Sequence, residues 1–437
     1  MNNKIKSKPD LSLFIIGALL SGITCLGQSS SPDFSNIYPI KSIDWQNFKF
    51  EDIKAIDEIL QNKKMLVLSE SDHGHGASID AQTMIIKGLI DSSRIRYLYI
   101  ESSSINCEKI CLLLKEKGKP GIQESLKYMH SLELKYWVKT GFWSYLAEKI
   151  IEGKVVLRGI DITGISPIIV KELFSDVNLS FNIIDELGFS KKESDDLKFY
   201  FDPFEGWNQS SVLQKEDIDL LKKFIDKVEI KYLNIGNKEK ARQWGLVFDF
   251  FYWIYVRNAS LRGNKYINQI VTTKQLSSFN SARDKMMYNI FADYLKVDTG
   301  YKSLCSISAY HGLRDSDLIN EISSCCKDDS VKSLMEYFDP VFMKSVYSIC
   351  FLMTEGEYGI VDWAQGGIKK VKKPIKGSLE RYLSKTNYNY GFLDLRKSSF
   401  KSPFYMRVVF NKFLKGDWEK IFPGIFYIRK MTPLTLL

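Results

Sequence analysis

Short apolar runs at residues 65–68, 96–100, 155–157 and 303–308 each stop at a polar turn carrying an acid or an imidazole, with helical apolar patterns between them. That alternation constrains the chain more than any other feature. Runs this short suit buried strands, and the stretches between them are long enough for crossover helices, which predicts strands lying parallel in one sheet. The expected fold class is α/β: a central, mostly parallel sheet flanked by helices, with a helical insertion and a C-terminal strand-containing segment. In such sheets the loops beyond the carboxyl ends of the strands converge on one crevice.

Each strand end delivers chemistry to that edge. The first run opens into Glu70-Ser71-Asp72-His73-Gly74-His75-Gly76, after which a helical pattern begins near Ala77 with Met84, Ile85 and Leu89 on one face. The second ends at Glu101, and a right-handed crossover between parallel neighbours would set Glu101 beside Glu70. The third leads to Gly159-Ile160-Asp161, and the fourth to Ala309-Tyr310-His311-Gly312. Helical patterns fill residues 217–232 and 275–295, the latter carrying Arg283-Asp284, and an aromatic stretch at 244–256 reads as a buried helix. Strand-like runs return at 347–353, 391–395 and 424–428.

The chain has 437 residues, is 45% hydrophobic, and carries a formal net charge of +9 with no Lys/Arg block. Disorder is excluded by the first two values. Nucleic-acid binding would need a concentrated basic patch with stacking aromatics, and none is visible. Lys4, Lys6 and Lys8 precede an apolar stretch at 11–27 that closes on Cys25-Leu26-Gly27. Residues 1–27 read as a signal peptide, which places the mature protein in the periplasm or outside the cell. The stretch also approaches the length of a membrane span, and Cys25 offers a lipid attachment point, so membrane association through the N-terminus is the other form of the same expectation. Residues 28–45 read as an extended lead-in and 46–437 as a single domain, helical at about 165–298. The six remaining cysteines show no CxxC or zinc-type spacing and read as buried filler.

An acid alone after a strand is more often a helix cap than a catalyst; the coincidence of four strand ends carries the weight. An imidazole oriented by carboxylates accepts a proton from water at neutral pH, and a neighbouring arginine stabilises an oxyanion. No GxSxG elbow is present, so the nucleophile is water. The same side chains, Glu70, Asp72, His73, His75, Glu101, Asp161 and His311, also include enough ligands for a divalent ion, which keeps a metal-dependent hydrolase open. His130 reads as a surface or capping residue, His75 as either turn structure or support for the site, and Phe248 to Trp253 as core.

Glu70-Ser71-Asp72-His73-Gly74 resembles the Glu-x-Thr-His-Gly signature of the erythromycin esterase family. In order along the chain, Tyr99-Ile100-Glu101 is similar to that family's strand-terminal Glu, and Leu157 to Asp161 to its Gly-x-Asp strand. Ser281-Ala282-Arg283-Asp284-Lys285-Met286-Met287 resembles its Arg-Asp-x-x-Met helix, and Tyr310-His311-Gly312 the first half of its His-x-x-His strand end. Gly377 to Glu380, Phe392 to Arg396 and Met431-Thr432-Pro433 resemble its C-terminal segment, so the likeness runs from about residue 40 onward. The resemblance implies metal-independent hydrolysis of a small-molecule ester or lactone, without a cofactor. His73 would activate water, Glu70 and Glu101 would position it, and Arg283 and His311 would bind substrate or stabilise the oxyanion, with His311 as the alternative base. His75, Asp72, Asp161 and Arg314 would bind substrate or support these groups. Two positions depart from the pattern: Arg314 stands where the second histidine of His-x-x-His is expected, and Asp72 replaces a hydroxyl residue. Macrolide specificity is therefore not carried over, and a non-catalytic ligand-binding protein of the envelope is the remaining alternative.

Overall fold

The computed structural model describes residues 36–163, 187–201, 215–234, 273–319, 332–361, 367–398, 400, 402–409 and 411–436, with single positions at 168, 172, 236, 241, 242, 244 and 245. The signal segment, Cys325-Cys326 and the aromatic run at 248–253 lie outside these residues.

Thirteen strands occur among them: β1 (Ile37–Ile40), β2 (Met65–Glu70), β3 (Tyr97–Ser103), β4 (Val156–Asp161), β5 (Ser303–Ser308), β6 (Val346–Tyr358), β7 (Ile360–Val361), β8 (Lys369–Lys370), β9 (Tyr390–Asp394), β10 (Phe404–Arg407), β11 (Phe413–Gly416), β12 (Gly424–Met431) and β13 (Leu434–Thr435). The main sheet runs β1-β9-β12-β6-β2-β5-β3-β4, with β8 paired to the far end of β6. Every neighbour from β12 to β4 is parallel. At the other side β9 runs antiparallel to β12, and β1 antiparallel to β9. The fold is thus α/β with a large, mostly parallel sheet flanked by helices. β1 gives the expected lead-in a place in the sheet.

The apolar runs become central strands because both of their faces are covered. All six residues of β2 are buried. Along β6 the side chains alternate between two cores: Ile349, Phe351 and Met353 join a large cluster with the helix Gly76–Asp91, while Cys350 and Leu352 join a smaller one around Trp418 and Tyr427. This is the period of two expected of a strand between layers. Cys107, Cys111, Cys305 and Cys350 are free and buried, consistent with filler.

One expectation fails. Glu101 does not lie beside Glu70, because β5 is inserted between β2 and β3. Glu70 instead pairs with Ser308, and Ile100 with Ser306. Leu304 and Cys305 of β5 are fully buried, and a strand that apolar belongs in the middle of a sheet. No helix among the described residues is long and apolar enough to cross a membrane.

Candidate active site

The turn after β2 is shaped by backbone contact. A Cβ on Gly74 would stand 2.6 Å from the Gly359 Cα, and one on Gly76 would stand 2.5 Å from the Pro433 carbonyl oxygen. Glycine at both positions lets the backbones meet: Gly359 N–H donates to Gly74 O (3.0 Å), Gly76 N–H to Thr432 O (2.8 Å) and Leu434 N–H to Gly74 O (3.2 Å). Two segments far along the chain therefore clamp the turn that carries His73.

His73 stands between two carboxylates. Its Nδ1 is 2.9 Å from Glu70 Oε1, and its Nε2 is 3.7 Å from Glu101 Oε1. Glu101 is set at a register shift between Ile100 and Ser103 of β3, where the ladder with β4 is interrupted and a side chain can be re-aimed. Its Oε1 accepts from Arg283 Nη2 (3.0 Å) and faces His311 Nε2 at 3.1 Å. Its Oε2 accepts from the backbone N–H of Ser308 (2.8 Å). Arg283 also donates from Nε (3.1 Å) and Nη2 (2.5 Å) to Asp161, a forked pairing that fixes the guanidinium plane. Asp161 is held in turn by the backbone N–H of Ile162 (2.8 Å). The second nitrogen of His311, Nδ1, meets the fully buried Asp284 carboxylate.

The charges follow from this packing. Burial opposes a charged His73 ring, but Glu101 and the contact with Glu70 outweigh it and raise its pKa to about 9. Burial likewise lifts the Glu70 carboxyl, against the pull of His73. The proton stays on the imidazole, because Glu101 adds a second negative charge on its far side. For His311, burial is overcome by Asp284 and Glu101, and its pKa rises to about 10. Glu101, despite burial, is held well below the usual carboxylate range by His311, His73 and Arg283.

Two cavities meet at this cluster. The larger, about 230 Å³, is lined by Glu70, His73, Glu101, Asp161 and Arg283, together with Glu133. The smaller, about 120 Å³, is lined by Asp72, His73, Arg283, Tyr310 and His311 among others. His73 and Arg283 are common to both, so the two histidines from distant parts of the sequence do share a space. The ring of His73 is half-exposed to it, at 47%, whereas His311 is 5% exposed and flanked by carboxylates on both nitrogens. Among the described residues, no group of three or more His, Cys, Asp or Glu side chains is arranged to hold a metal ion.

Of the other predicted residues, His75 and Arg314 fall outside the two cavities and Asp72 borders one. His75 is fully buried beneath the turn, edge-on to Tyr358 at 5.3 Å. Burial, Arg407 and His73 lower its pKa to about 3, so it stays neutral and seats the turn rather than facing substrate. Arg314 turns away, its Nη2 donating to Val346 O (2.5 Å) and its Nε to Ser348 Oγ (3.2 Å) near the amino end of β6. The tight turn in which Gly312 N–H donates to Ser308 O has redirected the chain before residue 314. Asp72 borders the smaller cavity and accepts from Asn411 Nδ2 (3.1 Å).

Sequence reasoning missed several wall residues. His130, expected at the surface, is exposed but borders the larger cavity. Gln82, Glu133 and Ser306 line it too. Glu133 sits in the first turn of the helix Leu132–Lys139, behind the cap Ser131, where an acid looks like ordinary helix chemistry.

No family model matches the chain, and no curated protein does. Solved structures share its fold. A protein from Bacillus cereus is 15% identical with a TM-score of 0.67, covering 92% of this chain and 97% of that one. A succinoglycan biosynthesis protein is 16% identical with a TM-score of 0.65, covering 92% and 96%. A mutant of the erythromycin esterase EreC in its open conformation is 12% identical with a TM-score of 0.63, covering 90% and 97%. At these identities the likeness is one of fold.

Proposed function

We propose that the chain hydrolyses a small-molecule ester or lactone, with water as nucleophile and His73 as base. The observation that carries this reading is the asymmetry between the two histidines in one crevice. His311 has both nitrogens against carboxylates. His73 has Nδ1 on Glu70 at 2.9 Å, while its Nε2 stands 3.7 Å from Glu101, beyond hydrogen-bond distance, on a ring half-exposed beside the cavity. A base needs one nitrogen oriented by a partner and the other free to reach water, and His73 fits that description better.

In the reaction, water is deprotonated at His73 Nε2 and attacks the carbonyl carbon. The oxyanion is received by the guanidinium of Arg283, which lines both cavities and is held in place by Glu101 and Asp161. The fold shared with an erythromycin esterase supports the reaction class and says nothing of the substrate. Export, as read from the N-terminus, would place the reaction outside the cytoplasm.

The test is a screen of the chain against macrolides and simple esters beside His73→Ala. Turnover that survives chelation and disappears in the variant is expected. Hydrolysis unaffected by the substitution would overturn the assignment. One observation favours a second reading, a ligand-binding protein without turnover: at neutral pH both imidazoles are held as cations. Ligand binding with no hydrolysis of any ester would establish it.

A further inference from the structure

We propose that Glu133 is the acid that protonates the departing alcohol oxygen, an assignment that rests on the hydrolase reading above. Glu133 shares the larger cavity with Glu70, His73, Glu101, Asp161, Arg283 and His130. Its surroundings carry a hydrogen-bond mismatch. Ser306 Oγ lies 2.6 Å from Gln82 Oε1 and 2.8 Å from Glu133 Oε1. A hydroxyl has one proton and cannot donate to both oxygens. Both contacts are satisfied when Glu133 carries a proton and gives it to Ser306, while Ser306 gives its own to Gln82.

Electrostatics point the same way. Burial raises the pKa of Glu133 to about 8 against the opposing hydrogen bond from Ser306; the negative charges of Glu70 and Glu101 add to the rise, and His73 opposes it. The helix N-terminus favours the carboxylate by about 0.3–1 kcal/mol, less than one pKa unit. That is too little to reverse the shift. The acid form therefore predominates at neutral pH, in a position lining the same space as the base.

Ser306 suits a group that must give its proton away. Its hydroxyl accepts from the acid form, then turns from Gln82 to donate to the carboxylate left behind. The step balances. His73 takes one proton from water, and hydroxide bonds to the carbonyl carbon. The carbon–oxygen bond to the alcohol breaks, and that oxygen takes the Glu133 proton. The proton on His73 then passes to Glu133, restoring both groups as acid and alcohol leave.

The experiment compares two esters of one acyl group accepted by the full chain, one releasing 4-nitrophenol and one releasing a simple alkyl alcohol. Nitrophenolate leaves without help; an alkoxide needs the proton. Glu133→Gln should lower kcat/KM on the alkyl ester by about 10²–10⁴-fold and leave the nitrophenyl ester nearly unchanged. An equal loss on both esters would reduce Glu133 to a positioning role and overturn the assignment. The infrared C=O stretch of a protonated carboxyl, present at pH 7 and lost in Glu133→Gln, is the readout independent of turnover. Its absence would mean that Gln82 turns its amide to donate to Ser306, and the proposal fails. If no ester is found that the unmodified chain hydrolyses, the hydrolase reading falls and the acid role with it, whereas an equal loss on both esters in the variant counts against Glu133 alone.

Discussion

Arg283, His311 and His73 all approach one oxygen of Glu101, at 3.0, 3.1 and 3.7 Å. Replacing that carboxylate by an amide leaves three buried or half-buried cations without their shared anion. Removing one partner of a buried ion pair costs about 3–5 kcal/mol, so Glu101→Gln should lower the unfolding free energy by an amount in that range, measured by denaturant titration. The same variant should let His73 and His311 titrate at lower pH, visible in their ring proton resonances. The wild-type rate has a sign that follows from the same contacts. His73 is raised to about 9, so only about one site in a hundred is a free base at pH 7. On the nitrophenyl ester, which needs no acid, the rate should climb from pH 7 toward 9, and a profile already flat at pH 6 would remove His73 as the base. His73, Glu70, Glu101 and His311 were legible in the sequence because each follows an apolar run at a strand's end. Glu133 was not, because an acid two residues after a serine reads as a helix start, and nothing local reveals that the helix faces a cavity.

At the scale of elements, the order of strands was the part that local pattern could not supply. Crossover rules place β3 parallel to β2 but do not say whether a strand from the far side of the helical region will come between them. β5 does, and it brings Ser308 and the His311 turn to the gap between Glu70 and Glu101. The turn is tight at Gly312, where an added Cβ would stand 2.3 Å from Ser69 Oγ. Gly312→Ala should cost about 1–3 kcal/mol by overpacking. Adding Ser69→Ala removes the opposing hydroxyl and should restore most of that loss in a thermal or denaturant melt; no recovery would place the strain elsewhere. The misjudged Arg314 belongs to this scale too, since sequence spacing from His311 assumes a strand end that continues, and the chain turns instead.

For the molecule as a whole, the main sheet is complete at Met431, while the geometry at its carboxyl edge depends on residues 432–434 and Gly359. A chain ending at Met431 should therefore keep its sheet, seen as unchanged far-ultraviolet circular dichroism, and lose protection of the Gly76 amide, whose acceptor is Thr432 O. Hydrolysis should fall with it. Retained exchange protection at residue 76 would show that the clamp is dispensable. The clamp also sets a schedule for synthesis: His73 emerges from the ribosome early, but the strap that seats its loop is translated among the last residues of this sequence. In a growing polypeptide the turn that carries His73 would lack these backbone partners until that strap arrives, so this corner of the fold closes only after translation has passed Pro433.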